Sequence, residues 1–211
     1  MPSQLPAFTT KELSNSTWPD FVKLFSQGNG WDHCQCMHFH RACALPKEKW
    51  LPTRAERAVR NRREKKQLVD TGRSHGILVY SNGEPVGWCQ YGPAEELPRI
   101  DNARNYRARA PKPASRKLWR ITCFVVLKNY RKRGVATAAL KAALASIKKG
   151  GGGLVEAYPI ASWQPRAFGN ESTHGTASMF KKAGFRQVAL LTTTIFSTTV
   201  LMRKTVFPAA N

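Results

Sequence analysis

The spacing of hydrophobic residues changes along the chain, and each change predicts a different element. Residues 77–80 and 86–91 are rich in β-branched and aromatic residues, and the Asn-Gly pair between them favours a hairpin turn. Residues 118–127 are almost continuously apolar, as expected of a central strand buried on both faces. Residues 135–147 are rich in Ala and Leu and precede a run of glycines, which predicts a strong helix that ends there.

Shorter segments complete the C-terminal part. Apolar runs at 154–158, 187–191 and 194–202 predict strands, and 176–183 predicts a short helix that ends at Gly184. Residues 92–116 are rich in Pro, Arg and Ala and predict a long loop with some helix. This order of elements predicts an α/β protein of the α+β type, with a mixed, largely antiparallel central sheet flanked by helices.

The N-terminal part, residues 1–74, is predicted as a helical segment that joins the core, residues 75–211, in one compact domain. A short helix is expected at 21–25. A second helix should run from Thr53, which forms a capping box with Glu56, to about residue 70. This second helix is so charged that we expect only a narrow stripe to be buried, formed by Ala55, Val59 and Leu68.

Charge and cysteine content narrow the classes of partner and compartment. The chain carries 34 Lys and Arg against 13 Asp and Glu, a net charge of +21, concentrated at 54–66 and 104–120. Such a charge attracts polyanions, so the alternatives are a solvated basic surface, capture of an anionic substrate, help with ligand phosphates, or loose nucleic-acid binding. The five scattered cysteines indicate a reducing compartment, and we expect a cytoplasmic protein. There is no apolar run long enough for a membrane span and no secretory signal pattern.

A basic turn between the apolar strand and the Ala-rich helix is the strongest chemical signal. The first N–H groups of a helix have no helical acceptor, and the helix dipole adds positive charge there, so this helix start favours a phosphate. Gly134 and Ala136 keep side chains away from an approaching ligand, and Arg131 gives the spacing Arg-x-x-Gly-x-Ala. The spacing is neither a P-loop nor a dinucleotide fingerprint. In isolation, it is also compatible with a simple basic turn.

In this context the turn resembles the coenzyme-A motif of the GNAT superfamily of N-acetyltransferases. Residues 178–185 are similar to the later helix of that family and its closing Gly-Phe, so the resemblance covers roughly residues 75–203. Further likenesses point to a little-characterised bacterial branch with an N-terminal Cys-x-Cys-Met segment. They lie at 33–39, 87–89, 119–124, 156–159 and 175–180.

The resemblance implies a site for acetyl-coenzyme A as co-substrate, in a gap between the strand at 118–127 and the diverging strand at 154–158. It places the pyrophosphate on the cations and backbone N–H groups of the turn, which are Arg131, Lys132, Arg133, Gly134, Val135, Ala136 and Thr137. It places the pantetheine arm on the strand-end backbone of Val125 and Val126. A backbone N–H near the strand end would polarise the thioester carbonyl.

The resemblance also shows that the usual catalytic acid is missing. Many members carry a Tyr four residues before the helix-ending Gly, and this chain has Phe180 there. Either Tyr158 or His174 supplies the proton, or the thiolate leaves unaided. Glu156, among apolar neighbours on the flanking strand, is the predicted base; the alternative is a carboxylate paired with an Arg. His174 is a second candidate for the base.

The segment 33–43 contains six potential metal ligands: His33, Cys34, Cys36, His38, His40 and Cys43. Their spacing is not that of a zinc knuckle, and no second pair follows, so we predict no metal site. Two interpretations remain. The segment packs against the domain with Met37 and Phe39 inward, or it lines the acceptor pocket.

The functional hypothesis is therefore an N-acetyltransferase in which a primary amine of a small molecule attacks acetyl-coenzyme A directly. The alternatives are a nucleic-acid-binding protein, for which no recognition-helix or RNP-like signature is present, and a non-catalytic sensor of acetyl-coenzyme A. The sequence identifies neither the acceptor nor the oligomeric state, and a homodimer is one of the alternatives.

Overall fold

A computed structural model describes residues 8–28, 31–43, 53–113, 117–163, 173–194 and 197–209. Its elements, in chain order, are β1 (Thr9–Glu12), α1 (Trp18–Phe25), α2 (Arg54–Asp70), β2 (His75–Ser81), β3 (Glu84–Pro93), α3 (Arg104–Arg109), β4 (Leu118–Val126), α4 (Val135–Lys149), β5 (Gly153–Ala157), β6 (Ile160–Trp163), α5 (Ala177–Lys182), β7 (Arg186–Thr193) and β8 (Ser197–Val206). Short 3-10 turns follow β3 and β4. In the described part of the chain, no helix is both long and apolar enough to cross a bilayer.

The strands form one eight-stranded sheet in the order β1-β2-β3-β4-β5-β8-β6, with β7 paired to β8. Only β4 and β5 are parallel; the other pairs in this sheet are antiparallel. The predicted mixed, largely antiparallel sheet flanked by helices is confirmed. β1 and β6 were not predicted, and β1 places a strand in the N-terminal part, which had been predicted as helical.

Helix α4 covers one face of the sheet. Its apolar side, including Val135, Leu140 and Ile147, packs into the main core against β2, β3 and β4. The start of the helix sits directly over Gly87 of β3. A Cβ built on Gly87 would lie 2.3 Å from a Val135 methyl group, so only a glycine allows this close approach.

Helices α1 and α2 lie on the opposite face of the sheet, where Trp88 is fully buried and contacts Phe21 and Phe25. The capping box of Thr53 and Glu56 is present as predicted.

The predicted buried stripe of α2 is wrong. Val59 is 71% exposed, whereas the helix buries Asn61, Lys65 and Val69. The reason is tertiary: the Asn61 amide donates to the backbone carbonyl of His33 at 2.7 Å, and the Lys65 ammonium reaches His40 at 3.0 Å. Buried polar groups need such partners, and these partners lie on the loop at 31–43.

Candidate functional site

The candidate site begins where β4 and β5 separate. They pair only from Leu118–Leu154 to Ile121–Ala157, after which β4 continues without its parallel neighbour. The Phe124 N–H instead donates to the carbonyl of Thr173 at 2.6 Å. Because β5 turns away, a groove of about 680 Å³ opens beside the end of β4.

The start of α4 forms one wall of this groove. Gly134 precedes the helix with φ of +93°, a left-handed conformation that favours glycine. The first helical hydrogen bond runs from the Ala138 N–H to the Gly134 carbonyl at 2.9 Å. The N–H groups of residues 135–137 therefore precede the helical ladder and have no helical acceptor, which is the arrangement that binds anions.

Most of the predicted coenzyme-binding residues come together around this groove. Those that line it are Val125, Val126, Arg131, Lys132, Gly134, Val135, Ala136 and Thr137. Arg131 also donates from Nε to the Val126 carbonyl at 3.3 Å, which ties the basic turn to the end of β4. Arg133 is not among the lining residues, and its guanidinium lies 5.9 Å from the centre of the Tyr130 ring.

A second, smaller cavity of about 280 Å³ adjoins the groove, and the two share Trp31, Val125 and Thr173 as lining residues. Its other walls come from β3, β4 and the segment 33–39, with His174 at the side. Both interpretations of that segment describe part of it: Met37 is buried and Phe39 packs against a core cluster, while other residues of the segment line the cavity. Sequence reasoning missed Trp31 and Gln90, which only the folded chain brings to this cavity.

His174 is the one predicted catalytic residue that lies on a cavity wall. Its ring is edge-on to Phe39, with centroids 6.2 Å apart, and Nδ1 is 3.4 Å from the Thr173 hydroxyl. Burial lowers the pKa of His174 below its usual value. The imidazole is therefore neutral near pH 7 and able to accept a proton.

Glu156 and Tyr158 line neither cavity. The Glu156 carboxylate is fully buried and accepts from Arg203 at 2.7 and 2.9 Å and from the hydroxyls of Tyr158 and Tyr106 at 2.7 and 2.9 Å. Both carboxylate oxygens are thus occupied by donors. The prediction that Glu156 is the base and Tyr158 an acid is not supported by this geometry, and the alternative of an Arg-paired carboxylate describes the structure.

Glu156→Gln should therefore act on stability. Removing one partner of a buried ion pair costs roughly 3–5 kcal/mol, since Arg203 would keep its charge without a counter-ion. We expect Tm to fall by at least about 5 °C in thermal denaturation. The exposed Glu95→Gln is the control and should leave Tm unchanged. A variant with unchanged Tm and much reduced turnover would restore Glu156 as the base.

Phe180, at the position of the missing acid, is fully buried. Its ring packs edge-on against Phe124 and Phe185, with centroids 6.0 and 5.1 Å apart. This side chain is part of the hydrophobic core, and it has no acidic proton to donate.

The His and Cys residues of the segment 33–43 do not converge on a metal. Among the described residues, no group of three or more His, Cys, Asp or Glu is placed to hold a metal ion. His40 belongs to a buried network instead: Nδ1 is 2.9 Å from the Glu96 carbonyl, and Nε2 lies 2.9 Å from the Gln90 amide nitrogen and 3.0 Å from the Lys65 ammonium. Nδ1 therefore carries the proton, and Nε2 accepts.

Several solved structures named as acetyltransferases share this fold at low sequence identity. A histone acetyltransferase HPA2 and related acetyltransferase from Corynebacterium glutamicum aligns with TM-score 0.54 at 14% identity, over 97% of this chain and 98% of that chain. A GNAT-family acetyltransferase from Desulfovibrio desulfuricans gives 0.53 at 13%, over 95% and 99%. The ribosomal-protein-S18-alanine N-acetyltransferase from Escherichia coli gives 0.50 at 13%, over 97% of each chain. At these identities the likeness shows the fold.

The family comparison covers most of the chain. A search of curated protein sequences gave no match. The family model described as "Acetyltransferase (GNAT) family" matches residues 11–167, and this range includes β4, the basic turn and α4. The chain therefore belongs to the GNAT acetyltransferase family, and it is an acyltransferase.

Proposed function

We propose that the protein transfers the acetyl group of acetyl-coenzyme A to the primary amine of a small molecule by direct attack. The observation that carries this proposal is the junction of two cavities at Trp31, Val125 and Thr173. The larger groove suits a long phosphorylated co-substrate, and the smaller cavity suits an acceptor. The thioester would then lie where the two meet.

The chain's own groups fit the co-substrate. The N–H groups of residues 135–137 and the cation of Lys132 face the groove and would hold the pyrophosphate. The backbone of Val125 and Val126 would take the pantetheine arm. Because the Val126 carbonyl accepts from Arg131, the basic turn and this strand end would move as one unit.

The smaller cavity indicates the class of amine. Among its described lining residues there is no carboxylate to balance an ammonium ion. Its imidazoles are uncharged: burial lowers the pKa of His33 and His174, and burial with nearby cations lowers that of His38 to about 4. We therefore propose an acceptor that is neutral near pH 7, such as an arylamine, since no carboxylate in the described wall would balance an alkylammonium.

The proton then passes to His174, which is neutral and lies on the acceptor side. The hydroxyl of Tyr158 already donates to Glu156, and Phe180 has no proton to give. The departing thiolate is consequently proposed to leave unaided, because a thiol with a pKa of about 8.5 is a good leaving group.

Calorimetry with acetyl-coenzyme A at two salt concentrations, followed by an amine screen, tests this function. We expect micromolar binding at both salt concentrations and acetylated product with arylamines before alkylamines. Binding without any product from either class would favour the coenzyme-sensing alternative. No binding at either salt concentration would remove the proposed site and leave nucleic-acid binding, which high salt should weaken steeply.

A further inference from the structure

We infer that Cys36 and Cys123 form a reversibly oxidisable thiol pair, a modification site in the wall of the smaller cavity. The two residues are 87 positions apart in sequence, yet their Sγ atoms lie 3.3 Å apart. Both are free thiols and both line the cavity. A disulfide requires the sulfurs to approach to about 2.05 Å, a short movement from this distance.

A buried cation accompanies the pair. Lys65 of α2 is fully buried, and it forms no ion pair with a carboxylate among the described residues. Its ammonium lies 3.0 Å from neutral His40, and the thiols of Cys36, Cys123 and Cys34 are near enough to act on its charge. Burial lowers the pKa of Lys65 to about 8, and the sulfurs oppose that decrease. The Glu96 carboxylate also acts on this charge but forms no ion pair with it, so a buried ammonium beside two thiols favours the thiolate form of one of them.

The surroundings of Cys36 select it as that thiolate. Burial alone raises the pKa of its thiol, but the hydrogen bond with Cys123, the charge of Lys65 and the Trp88 indole together hold the pKa below its usual value. The Trp88 N–H is itself buried and has no oxygen or nitrogen partner among the described residues. The hydrogen bond with Cys36, followed by burial, raises the pKa of Cys123, which therefore stays protonated.

The backbone holds Cys36 in place. Gln35 and Cys36 have φ of +49° and +48°, a conformation that non-glycine residues adopt only when their surroundings impose it. The Gln90 amide donates to the Cys36 carbonyl at 2.9 Å, and Gln90 is the β3 neighbour of Cys123 in the sheet. Gln90 thus links the two residues, Cys36 through its side chain and Cys123 through strand pairing.

The chemistry balances with hydrogen peroxide as the oxidant. The Cys36 thiolate attacks one peroxide oxygen, the O–O bond breaks, and the departing hydroxide takes a proton to become water. The sulfur of Cys123 then attacks the Cys36 sulfur, the S–O bond breaks, and the second oxygen leaves as water with the Cys123 proton. Two thiols lose two electrons to the peroxide, and a small dithiol reverses the reaction.

The disulfide would change the smaller cavity and leave the groove intact. It removes the anion that faces Lys65 and ties the segment 31–43 to β4 beside Val125. We expect the KM for the acceptor to rise at least about fivefold, while calorimetry gives the same affinity for acetyl-coenzyme A. This consequence, unlike the disulfide itself, rests on the proposed function.

Mass spectrometry after treatment with one equivalent of hydrogen peroxide tests the site. The full chain should lose two hydrogens, a joined peptide pair should contain Cys36 and Cys123, and dithiothreitol should restore both thiols. Cys43→Ser removes an exposed thiol outside the cavity and should react like the wild type. Cys36→Ser and, as a second variant, Cys123→Ser should form no intramolecular disulfide, and Lys65→Met should slow the reaction at pH 7 by about tenfold.

Three outcomes would overturn the inference: a disulfide that still forms in Cys36→Ser, a wild-type product that is sulfinic acid, or dimers linked through Cys43. The mass measurement does not depend on acetyl transfer. A disulfide in a protein that acetylates no amine would therefore count against the proposed function alone. Amine acetylation without a disulfide would count against the thiol pair alone.

Discussion

Gly134→Glu should abolish the binding of acetyl-coenzyme A, with an affinity loss on the order of 100-fold or more. The added carboxylate would stand at the start of α4, among the N–H groups that we propose for the pyrophosphate. Like charges about 4 Å apart repel by about 4 kcal/mol at the effective dielectric constant of a protein surface, which would weaken a micromolar Kd by almost three orders of magnitude, to roughly millimolar. Calorimetry at low salt, where screening is weakest, is the measurement.

Gly134→Ala is the matched control for this variant. Both substitutions place a side chain on a residue with φ of +93°, and a Cβ there meets no heavy atom within 4 Å. They therefore share a backbone strain of about 1–2 kcal/mol but differ in charge. The Ala variant should lose less than about tenfold in affinity. Equal losses in both variants would mean that the turn conformation alone accounts for the result.

His174→Gln should lower kcat by about 100-fold or more, the usual contribution of a general base, and leave acetyl-coenzyme A affinity unchanged. The wild-type enzyme should lose kcat/KM on the acid side with a midpoint below pH 6.5. The sign follows from burial, which lowers the pKa of His174: the neutral, proton-accepting form persists above that pKa and disappears as the pH falls through it. The variant should lack this acid limb. The measurement is kcat/KM from pH 5 to 8 with an arylamine.

His33→Gln is the control, because His33 lines the same cavity and its pKa is also lowered by burial. We expect it to change kcat less than about threefold. If His33→Gln instead removes the acid limb and His174→Gln does not, the roles of the two imidazoles must be exchanged. If neither variant changes the profile, the amine loses its proton to water and the enzyme needs no side-chain base.

The groove between β4 and the start of α4 was predictable from sequence because its signals are local. An apolar run, a basic turn with Gly134 and an Ala-rich helix are contiguous, and the structure gives β4, the groove and α4 in that order. The hairpin at Asn82 and Gly83 is equally local, and both residues have positive φ. Each of these features depends on neighbours in the chain, which the sequence displays directly.

The surroundings of the smaller cavity and of Glu156 could not be predicted in the same way, because their contacts are tertiary. Hydrophobic spacing placed Val59 inside, whereas α2 turns Lys65 inward toward His40 and the thiols. Likewise, the apolar sequence neighbours of Glu156 predicted a catalytic base, whereas Arg203, 47 residues away, forms an ion pair with its carboxylate. A sequence pattern records how apolar a face is, but it does not record which distant polar group will meet it.

The close approach of Gly87 to Val135 has a consequence for natural variation. A Cβ built on Gly87 would lie 2.3 Å from the Val135 methyl group, so this strand residue limits how closely the start of α4 can approach the sheet. A side chain there would displace the start of α4, and with it the three N–H groups that we propose for the pyrophosphate. Under the proposed function, ligand geometry therefore constrains a strand position that would otherwise be read as a purely architectural glycine.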